Sequence, residues 1–224
     1  MDLLIDLDDT LLNFKESEKH ALEKVLEKYN IPNTKDNIEL YSNINKSYWE
    51  KFERKEISRE KLMVERYKVF FNLLKVEADS FEEVNNLYFS WLKEFAFPYE
   101  ETYDFLSECL RRNINLYLCS NGENIVQERR IELSSLNKYF KKIYISQEIG
   151  YFKPDKKFFD FVLKDAKLSN NQVFMLGDSL TSDIQGAFNA SIKSIWLNRH
   201  GKRGNEKVNY EIHSLMEFFT LDIF

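Results

Sequence analysis

The sequence is poor in the residues that interrupt regular structure. Its 224 residues include only six glycines and three prolines, which excludes a collagen-like or loop-dominated chain. Charged residues make up 31% of the chain and hydrophobic residues 43%, without low-complexity tracts, and this excludes a disordered protein. A chain of this length and composition is expected to fold around a sizeable core and to be rich in helices.

Long apolar segments and basic segments are also absent. The longest stretches without a charged residue, 113–122 and 168–177, are ten residues long, too short for a membrane-spanning helix. The net charge is −5 and no basic block stands out, so neither a membrane nor a nucleic acid is expected as a partner. Asp2, Asp6 and Asp8 stand where a signal peptide would have its basic flank, and a cytoplasmic location is therefore predicted.

Cysteine occurs only at Cys109 and Cys119. Both residues lie in apolar stretches of the sequence, which is typical of buried thiols and unlike a disulfide framework or a zinc site. We therefore expect two reduced cysteines in the core of the protein.

Short apolar segments followed by polar loops have the pattern of buried β-strands. Continuous apolar runs, as opposed to alternating ones, are typical of parallel strands that are covered on both faces. Such runs lie at 3–7, 115–119, 142–145, 173–176 and 194–197. With helical patterns between the later runs, they predict an α/β fold with a doubly wound parallel sheet and a Rossmann-like core. Residues 208–224 are expected to form a final helix or to pack at the sheet edge.

A helical segment interrupts this pattern after the first strand. More than a hundred residues separate the first strand from the second, far more than the dozen or so that a crossover needs. Within residues 15–95, apolar side chains recur at spacings of three and four, which predicts four helices in a small bundle. We therefore expect two domains, one formed by 1–14 and 96–224 and the other by 15–95.

The first strand ends in a pair of alternating carboxylates, Asp6 and Asp8. In an extended chain these two side chains point to the same side, whereas Asp9 points away. Two carboxylates about 4 Å apart repel by about 4 kcal/mol at a surface-like dielectric, so a cation such as Mg²⁺ between them is expected to relieve the repulsion. A solvated acidic turn is the alternative.

Other polar groups also follow predicted strands. They are Asp178 and Asp183, Ser120 and Asn121, and Lys153 ahead of a proline. Taken singly, each has a simpler interpretation as a helix cap or a solvated side chain. Because ligands of open α/β sheets bind beyond the carboxyl ends of the strands, the groups are expected to converge on one crevice. Together they are suited to phosphoryl transfer.

These motifs, in this order, resemble those of the haloacid dehalogenase-like hydrolase superfamily. The matching positions are 6–10, Ser120, Lys153 before Pro154, and 177–183, and the inserted bundle resembles the helical cap of this superfamily. The chain also resembles a subgroup, the noncanonical pyrimidine 5′-nucleotidases, at 120–122, 146–150, 153–155 and Asn198. At position 191 the chain has Ser where family members commonly have Gly, which predicts a slightly different turn.

The resemblance implies a role for each acidic residue. Asp6 would be the nucleophile that takes the phosphoryl group, and Asp8 would be the acid that protonates the leaving oxygen and then the base that activates water. Mg²⁺ would be bound by Asp6, by the main-chain carbonyl of Asp8 and by Asp178. Asp183 would orient the waters of the metal or Lys153.

The resemblance also implies which residues bind the substrate. Ser120, Asn121 and Lys153 would hold the oxygens of the phosphate, and Lys153 would act in catalysis by offsetting the carboxylate charge. Because true dehalogenases lack a second aspartate at the place of Asp8, dehalogenation is disfavoured.

Three functions follow as alternatives. The first is a magnesium-dependent phosphomonoester hydrolase that acts through an aspartyl-phosphate, most simply a 5′-nucleotidase for pyrimidine nucleoside monophosphates. The second is a sugar-phosphate phosphatase or a phosphomutase, and the third is a binding protein without activity. Aromatic residues of the insertion are candidates to stack a nucleobase, although their helical spacing favours the bundle core; they are Tyr41, Tyr48, Trp49 and Phe52. The sequence does not indicate an oligomeric state.

Overall fold

The computed structural model describes residues 1–205 and 207–223, so Glu206 and Phe224, both within the predicted 96–224 segment, lie outside the described residues. The chain divides into two compact units. The sheet unit comprises Met1–Asn13 and Phe97–Phe224, and the helical unit comprises Phe14–Ala96.

One parallel sheet organises the sheet unit. Its strands are β1 (Asp2–Ile5), β2 (Asn115–Ser120), β3 (Lys142–Ile145), β4 (Val173–Gly177), β5 (Lys193–Leu197) and β6 (Tyr210–Ile212). All neighbours pair in parallel, in the order β3-β2-β1-β4-β5-β6. The chain moves outward from β1 to β3 and then crosses to β4 on the other side of β1, which is the arrangement of Rossmann-like sheets. The predicted doubly wound α/β fold is confirmed.

The helices differ in length between the two units. In chain order they are α1 (Phe14–Lys28), α2 (Lys35–Glu53), α3 (Arg59–Leu74), α4 (Phe81–Leu92), α5 (Thr102–Arg111), α6 (Asn124–Leu133), α7 (Ser146–Ile149), α8 (Lys156–Ala166) and α9 (Gln185–Asn189). A 3₁₀ segment at Leu215–Thr220 follows β6, so the C-terminal segment contains both an edge strand and a helical turn. Among the described residues, no helix is both long enough and apolar enough to cross a membrane.

Helix α8 covers one face of the sheet with apolar side chains. Phe158, Phe159 and Val162 are fully buried in a cluster that includes Leu4 of β1 and Met175 of β4. Burying such side chains stabilises the fold by about 1.5 to 3 kcal/mol each. This packing fixes the central strands, and with them the positions of the residues that follow each strand.

The two cysteines lie in the core, as the sequence predicts. Cys119 on β2 belongs to the cluster under α8, whereas Cys109 lies on α5. Both thiols are free and buried. Burial raises the pKa of Cys109 to about 12 and raises that of Cys119 further above its usual range, so both side chains are neutral core groups.

The helical unit has strong helix-start signals. Thr34, Ser58 and Ser80 each precede a helix, and each side-chain oxygen accepts a hydrogen bond from a main-chain N–H in the first turn. An N-cap of this kind contributes about 1 kcal/mol to helix stability. Of the four aromatic residues whose spacing favours the bundle core, two are buried, Tyr41 and Phe52. The other two, Tyr48 and Trp49, are only partly buried.

Two local expectations differ from the structure. Strand β1 ends at Ile5 instead of residue 7, because the chain turns back and the N–H of Leu11 donates to the carbonyl of Leu7 at 2.9 Å. Ser191 adopts a left-handed φ of 55°, the conformation that a glycine would take. The N–H of Ser191 donates to Phe188 at 3.1 Å and that of Ile192 to Ala187 at 2.8 Å, which closes α9 in a Schellman motif. The turn at Ser191 therefore has the conformation expected for glycine, although the sequence predicts a slightly different turn.

Candidate active site

The polar motifs meet at the carboxyl edge of the central strands. Asp6 follows β1, Ser120 is the last residue of β2, and Asp178 follows β4. The N–H of Asp6 donates to the carbonyl of Leu176 on β4 at 3.0 Å, which extends the pairing of β1 with β4 by one residue. The strand order therefore brings together residues that are far apart in the sequence.

Lys153 is the centre of this arrangement. Its Nζ donates to Asp6 Oδ1 at 2.7 Å, to Asp183 Oδ1 at 2.6 Å and to the carbonyl of Cys119 at 2.7 Å. A lysine ammonium has three N–H donors, and all three are used here. With 1% of its side chain exposed, Lys153 is a buried cation and not the solvated side chain that a loop position alone suggests.

Three carboxyl groups surround the same place. Asp6, Asp178 and Asp183 each offer an oxygen, and these oxygens all lie within 4.8 Å of one another. We call Asp6, Lys153, Asp178 and Asp183 the sheet-edge cluster. The cluster thus contains one lysine, bonded to Asp6 and Asp183, and three carboxyl groups. Ionisation of all three carboxyl groups would leave an excess of negative charge in a largely buried place.

The excess charge changes the acidity of the cluster. Burial raises the pKa of Asp6 to about 8, with Asp183 and Asp8 acting in the same direction, and Lys153 opposes the rise. Burial also holds the pKa of Asp178 well above its usual range, and the charges that add most to this are Asp9 and Asp6. For Lys153 the neighbouring Asp183 and Asp6 outweigh the effect of burial, and its pKa is raised. A divalent cation would remove the repulsion, so the donor set fits a hard metal ion.

Asp183 is held on both of its oxygens. It lies in a single π-helical turn, Leu180–Ile184, which Ser179 caps by accepting a hydrogen bond from Ser182 N. Asp183 Oδ1 binds Lys153, and Oδ2 accepts from the N–H of Ser179 at 3.1 Å. A Cβ atom at Gly177 would lie 2.2 Å from Asp183 Oδ2, so this close approach requires glycine.

Asn121 contacts the main chain of Lys153. Its Nδ2 donates to the carbonyl of Lys153 at 2.7 Å, and its Oδ1 accepts from the N–H of Lys153 at 2.8 Å. This reciprocal pair fixes the loop that carries the lysine. The expected contact of the Asn121 side chain with phosphate stays a prediction, because the structure shows a side chain engaged in holding Lys153.

Asp8 points to helix α6 instead of the sheet-edge cluster. Its Oδ2 accepts from Gln127 Nε2 at 2.6 Å and its Oδ1 from Arg130 Nη1 at 2.6 Å. The expectation that Asp6 and Asp8 share one side and the same partners rests on an extended chain, and the turn after Ile5 removes that condition. The carboxylate of Asp8 thus lies outside the three-carboxyl group, and the expectation of Mg²⁺ between the carboxylates of Asp6 and Asp8 is not met. The ligand that the family resemblance implies at this position is the main-chain carbonyl of Asp8, and it stays a prediction.

Gln127 and Arg130 are residues that sequence reasoning misses. Both are buried, with exposed fractions of 1% and 0%, although both are polar. A signal for them exists in the sequence, since they share the buried face of α6 with Val126 and Ile131. Polar residues inside the apolar stripe of a helix indicate buried partners.

Asp9 is a further residue that the sequence places outside the site. It has a left-handed φ of 57°, and its Oδ1 accepts a hydrogen bond from Tyr99 Oη at 3.5 Å. Its charge also raises the pKa of Asp178, so it lies near the metal-binding carboxyl predicted after β4. The turn after Ile5 removes the alternation of an extended chain at Asp9, as it does at Asp8.

Comparisons with known proteins agree with this geometry. A family model described as haloacid dehalogenase-like hydrolase matches residues 3–197. The pyrimidine 5′-nucleotidase PynA of Streptococcus pneumoniae is 32% identical, over 96% of this chain and 92% of its own, and the pyrimidine 5′-nucleotidase YjjG of Escherichia coli is 28% identical, over 98% and 96%.

A solved structure has the same fold over nearly the whole chain. It is the magnesium-bound crystal structure of YfnB from Bacillus subtilis, with a TM-score of 0.92, 32% identity, and coverage of 98% of this chain and 96% of that chain. The family match, the full-length similarity and the parallel sheet with its acidic edge lead to one conclusion. The chain belongs to the haloacid dehalogenase-like hydrolase family.

Proposed function

We propose that this hydrolase is a magnesium-dependent phosphatase that acts through an aspartyl-phosphate on nucleoside 5′-monophosphates, with pyrimidine nucleotides preferred. The observation that carries the proposal is the sheet-edge cluster. In it, Asp6 accepts a hydrogen bond from the buried Lys153, and a carboxyl oxygen of Asp6 lies within 4.8 Å of oxygens of Asp178 and Asp183. Such a cluster offers a nucleophile, a cation for the phosphate oxygens and ligands for a metal in one place.

The proposed reaction has two steps at phosphorus. In the first, an Asp6 oxygen forms a bond to phosphorus while the bond to the leaving oxygen breaks, and Asp8 gives its proton to that oxygen. In the second, Asp8 takes a proton from water, the water oxygen bonds to phosphorus, and the bond between phosphorus and Asp6 breaks. Phosphate leaves, and both aspartates return to their starting states.

The proposed metal ligands are the carboxylates of Asp6 and Asp178 and the main-chain carbonyl of Asp8. When bound, Mg²⁺ would neutralise the carboxylate charge and polarise the phosphoryl group. We assign Asp183 to a supporting role, because its two oxygens are occupied by Lys153 Nζ and by the N–H of Ser179. A group with both oxygens engaged is suited to orient Lys153 or metal-bound water.

The proposed phosphate contacts come from Ser120, Asn121 and Lys153. Ser120 ends β2, and its Oγ accepts from the N–H of Gly122 at 3.2 Å. Main-chain N–H groups in the turn after a strand are suited to bind phosphate oxygens. Lys153 would transfer one of its N–H contacts from Asp6 to the phosphate as Asp6 becomes esterified.

The proposed substrate class is supported by the relatives. PynA and YjjG, at 32% and 28% identity, are both named pyrimidine 5′-nucleotidases. Their similarity extends over more than nine-tenths of this chain, so it includes the helical unit as well as the sheet unit. We also propose a cytoplasmic location, in line with two free buried thiols.

A phosphate-release assay tests the proposal. The panel contains pyrimidine and purine nucleoside monophosphates and sugar phosphates, each with Mg²⁺ and with a chelator. We expect the highest kcat/KM with pyrimidine nucleotides and no turnover in the chelator. Higher activity with sugar phosphates would refute the nucleotidase assignment while keeping the chemistry.

A variant of the nucleophile tests the mechanism in the same assay. We expect Asp6→Asn to lower kcat by about 10³-fold or more, because a carboxamide is a poor nucleophile. Asp2→Asn is the matched control, since Asp2 begins the same strand and accepts a hydrogen bond from Asn115 at 2.8 Å. It should retain activity. Unchanged phosphate release by Asp6→Asn would remove Asp6 as the nucleophile.

A further inference from the structure

Four side chains form a hydrogen-bonded network beside the sheet-edge cluster. Gln127 Nε2 donates to Asp8 Oδ2 at 2.6 Å and to Ser120 Oγ at 2.7 Å. Arg130 Nη1 donates to Asp8 Oδ1 at 2.6 Å and to Gln127 Oε1 at 2.9 Å. Two residues of α6 thus join the proposed acid and base, Asp8, to the proposed phosphate ligand, Ser120.

The partners fix the orientation of the Gln127 amide. Its oxygen faces a guanidinium, and its nitrogen faces a carboxylate and a hydroxyl. The opposite orientation would turn N–H groups toward Arg130 and an oxygen toward the Asp8 carboxylate, which places like partners against each other. The network therefore has one direction, from Arg130 through Gln127 to Ser120.

This direction determines what the Ser120 hydroxyl can do. A serine hydroxyl has one donor and two acceptor sites. Its oxygen accepts from Gln127 Nε2 at 2.7 Å and from Gly122 N at 3.2 Å, so both acceptor sites are used. The proton is then left for a third partner, and a phosphate oxygen is an acceptor of this kind.

Asp8 is held on both oxygens by the same two residues. Each carboxylate oxygen has about two acceptor sites, so one contact on each oxygen orients the group and leaves a site for the proton that it transfers. The Arg130 side chain is buried, with 1% exposed, whereas 27% of the Asp8 side chain is exposed. Asp8 is therefore fixed from its buried side and open on the other.

The loop after β2 is shaped to fit this network. A Cβ atom at Gly122 would lie 2.4 Å from Gln127 Nε2, so any larger residue would displace the amide. The glycine thus allows the loop to approach Gln127, and its own N–H completes the contacts of Ser120. Loop and helix are fitted to each other around one side chain.

We propose that Gln127 and Arg130 are positioning residues for the phosphatase reaction: they direct the Ser120 proton toward the phosphate and hold the Asp8 carboxyl for proton transfer to the leaving oxygen. This inference rests on the proposed function, because it assigns a task to residues of the same site. Neither side chain is assigned a contact with the substrate: Arg130 acts through Asp8 and Gln127, and Gln127 acts through Asp8 and Ser120.

The test compares two leaving groups. Uridine 5′-monophosphate releases an alkoxide that needs a proton, whereas p-nitrophenyl phosphate releases a stable anion that does not. Because general acid catalysis contributes about 10²- to 10⁴-fold, we expect Arg130→Met to lower kcat/KM for the nucleotide by about 100-fold and for the aryl phosphate by less than about 10-fold. Gln127→Leu should lower the ratio of kcat/KM for the nucleotide to kcat/KM for the aryl phosphate, as Arg130→Met does. It should also weaken competitive inhibition by inorganic phosphate.

The controls use residues of the same helix. Arg129 pairs with Glu132 at 2.9 Å and has 41% of its side chain exposed, so Arg129→Met should leave both substrates unchanged. Gln127→Glu keeps the size of the side chain but has no N–H for Asp8 or Ser120, and it should reproduce the change in ratio if Gln127→Leu fails to fold. Arg130→Lys keeps the charge and should restore part of the nucleotide activity.

The outcomes separate the inference from the proposed function. Equal losses for the two substrates in folded variants, or no loss at all, would overturn the positioning role while leaving the phosphatase intact. A wild-type protein that releases phosphate from neither substrate would overturn both. A selective loss for the nucleotide, with Arg129→Met unaffected, supports the inference.

Discussion

Each unit of the molecule buries a basic side chain, but the two surroundings differ. In the helical unit, Arg66 Nη1 donates to Asn45 Oδ1 at 2.6 Å and Arg66 Nη2 to Asn85 Oδ1 at 2.7 Å. Asn45 Nδ2 in turn donates to Glu18 Oε1 at 2.6 Å. We call these four residues the bundle cluster, and each comes from a different helix of α1 to α4. One arginine and one glutamate balance there, whereas the sheet-edge cluster contains one lysine and three carboxyl groups.

The difference indicates what each cluster does. A buried pair whose charges match, joined here through two asparagines, is a structural connection, and its loss exposes uncompensated groups. A buried group with excess charge is unfavourable for stability without an added ion, and such groups concentrate at functional sites. The bundle cluster thus ties four helices together, and the sheet-edge cluster is prepared for a cation and a phosphate.

Removing the cation of the bundle cluster should have the largest effect on stability. Arg66→Met leaves two asparagine oxygens without their donor and Glu18 without its counter-charge. Breaking a buried pair in this way costs about 3 to 5 kcal/mol. Urea unfolding, followed by circular dichroism, measures this change in the free energy of unfolding.

A matched arginine in the same unit controls for the loss of charge. Arg54 forms an exposed pair with Glu56 at 2.6 Å, and exposed pairs contribute little. Arg54→Met should therefore unfold at the same urea concentration as the wild type. Equal midpoints for the Arg54 and Arg66 variants would contradict the structural role of the bundle cluster.

Neutralising one carboxylate should change the free energy of unfolding in opposite directions in the two clusters. Asp6→Asn keeps an acceptor oxygen for Lys153 and removes one of three crowded charges, so in a chelator at pH 8 we expect it to stabilise by about 2 kcal/mol. Glu18→Gln removes the only carboxylate of the bundle cluster and should destabilise by about 1 to 2 kcal/mol. Unfolding curves of both variants under one buffer condition decide the comparison, and changes of the same sign would refute it.

More of the sheet-edge cluster than of the bundle cluster can be predicted from the sequence. Asp6, Ser120 and Asp178 follow apolar strands, and parallel strands bring their carboxyl ends to one edge, so their meeting is predictable from order alone. The position of Lys153 after the third predicted strand places it in the same crevice, but its burial is not predicted, since a lysine before a proline is ordinarily solvated. Its burial depends on contacts 147 and 30 residues away, which no local pattern encodes.

The contacts made by helices are the part that sequence reasoning misses. Gln127 and Arg130 reach Asp8 across 119 and 122 residues, and helical periodicity does not say which polar side chain turns inward. Arg66 is hidden for the same reason, because a charged residue on an amphipathic helix is expected to face water. A polar residue within the apolar stripe of a helix is the remaining sequence signal for a buried polar side chain. The partners of that side chain are visible only in the structure.

The pH dependence of stability distinguishes the clusters without a substitution. The pKa of Asp6 is about 8 in the folded protein, against an ordinary value of 3.8. Between these values the folded state keeps a proton that the unfolded state has lost, so the free energy of unfolding decreases as pH rises and is constant above about 8. One group of this kind contributes at most about 1.4 kcal/mol per pH unit.

Urea unfolding at pH 6 and pH 8 therefore tests the excess charge directly. In a chelator, the wild type should be less stable at pH 8, and Asp6→Asn should reduce the difference, because the raised pKa is then absent. Saturating Mg²⁺ should stabilise the wild type more at pH 8 than at pH 6, since the ion binds the ionised carboxylates. Because the bundle cluster already balances its charge, Glu18→Gln should leave this pH dependence as in the wild type. A pH dependence that Asp6→Asn leaves unchanged would place its origin outside the sheet-edge cluster.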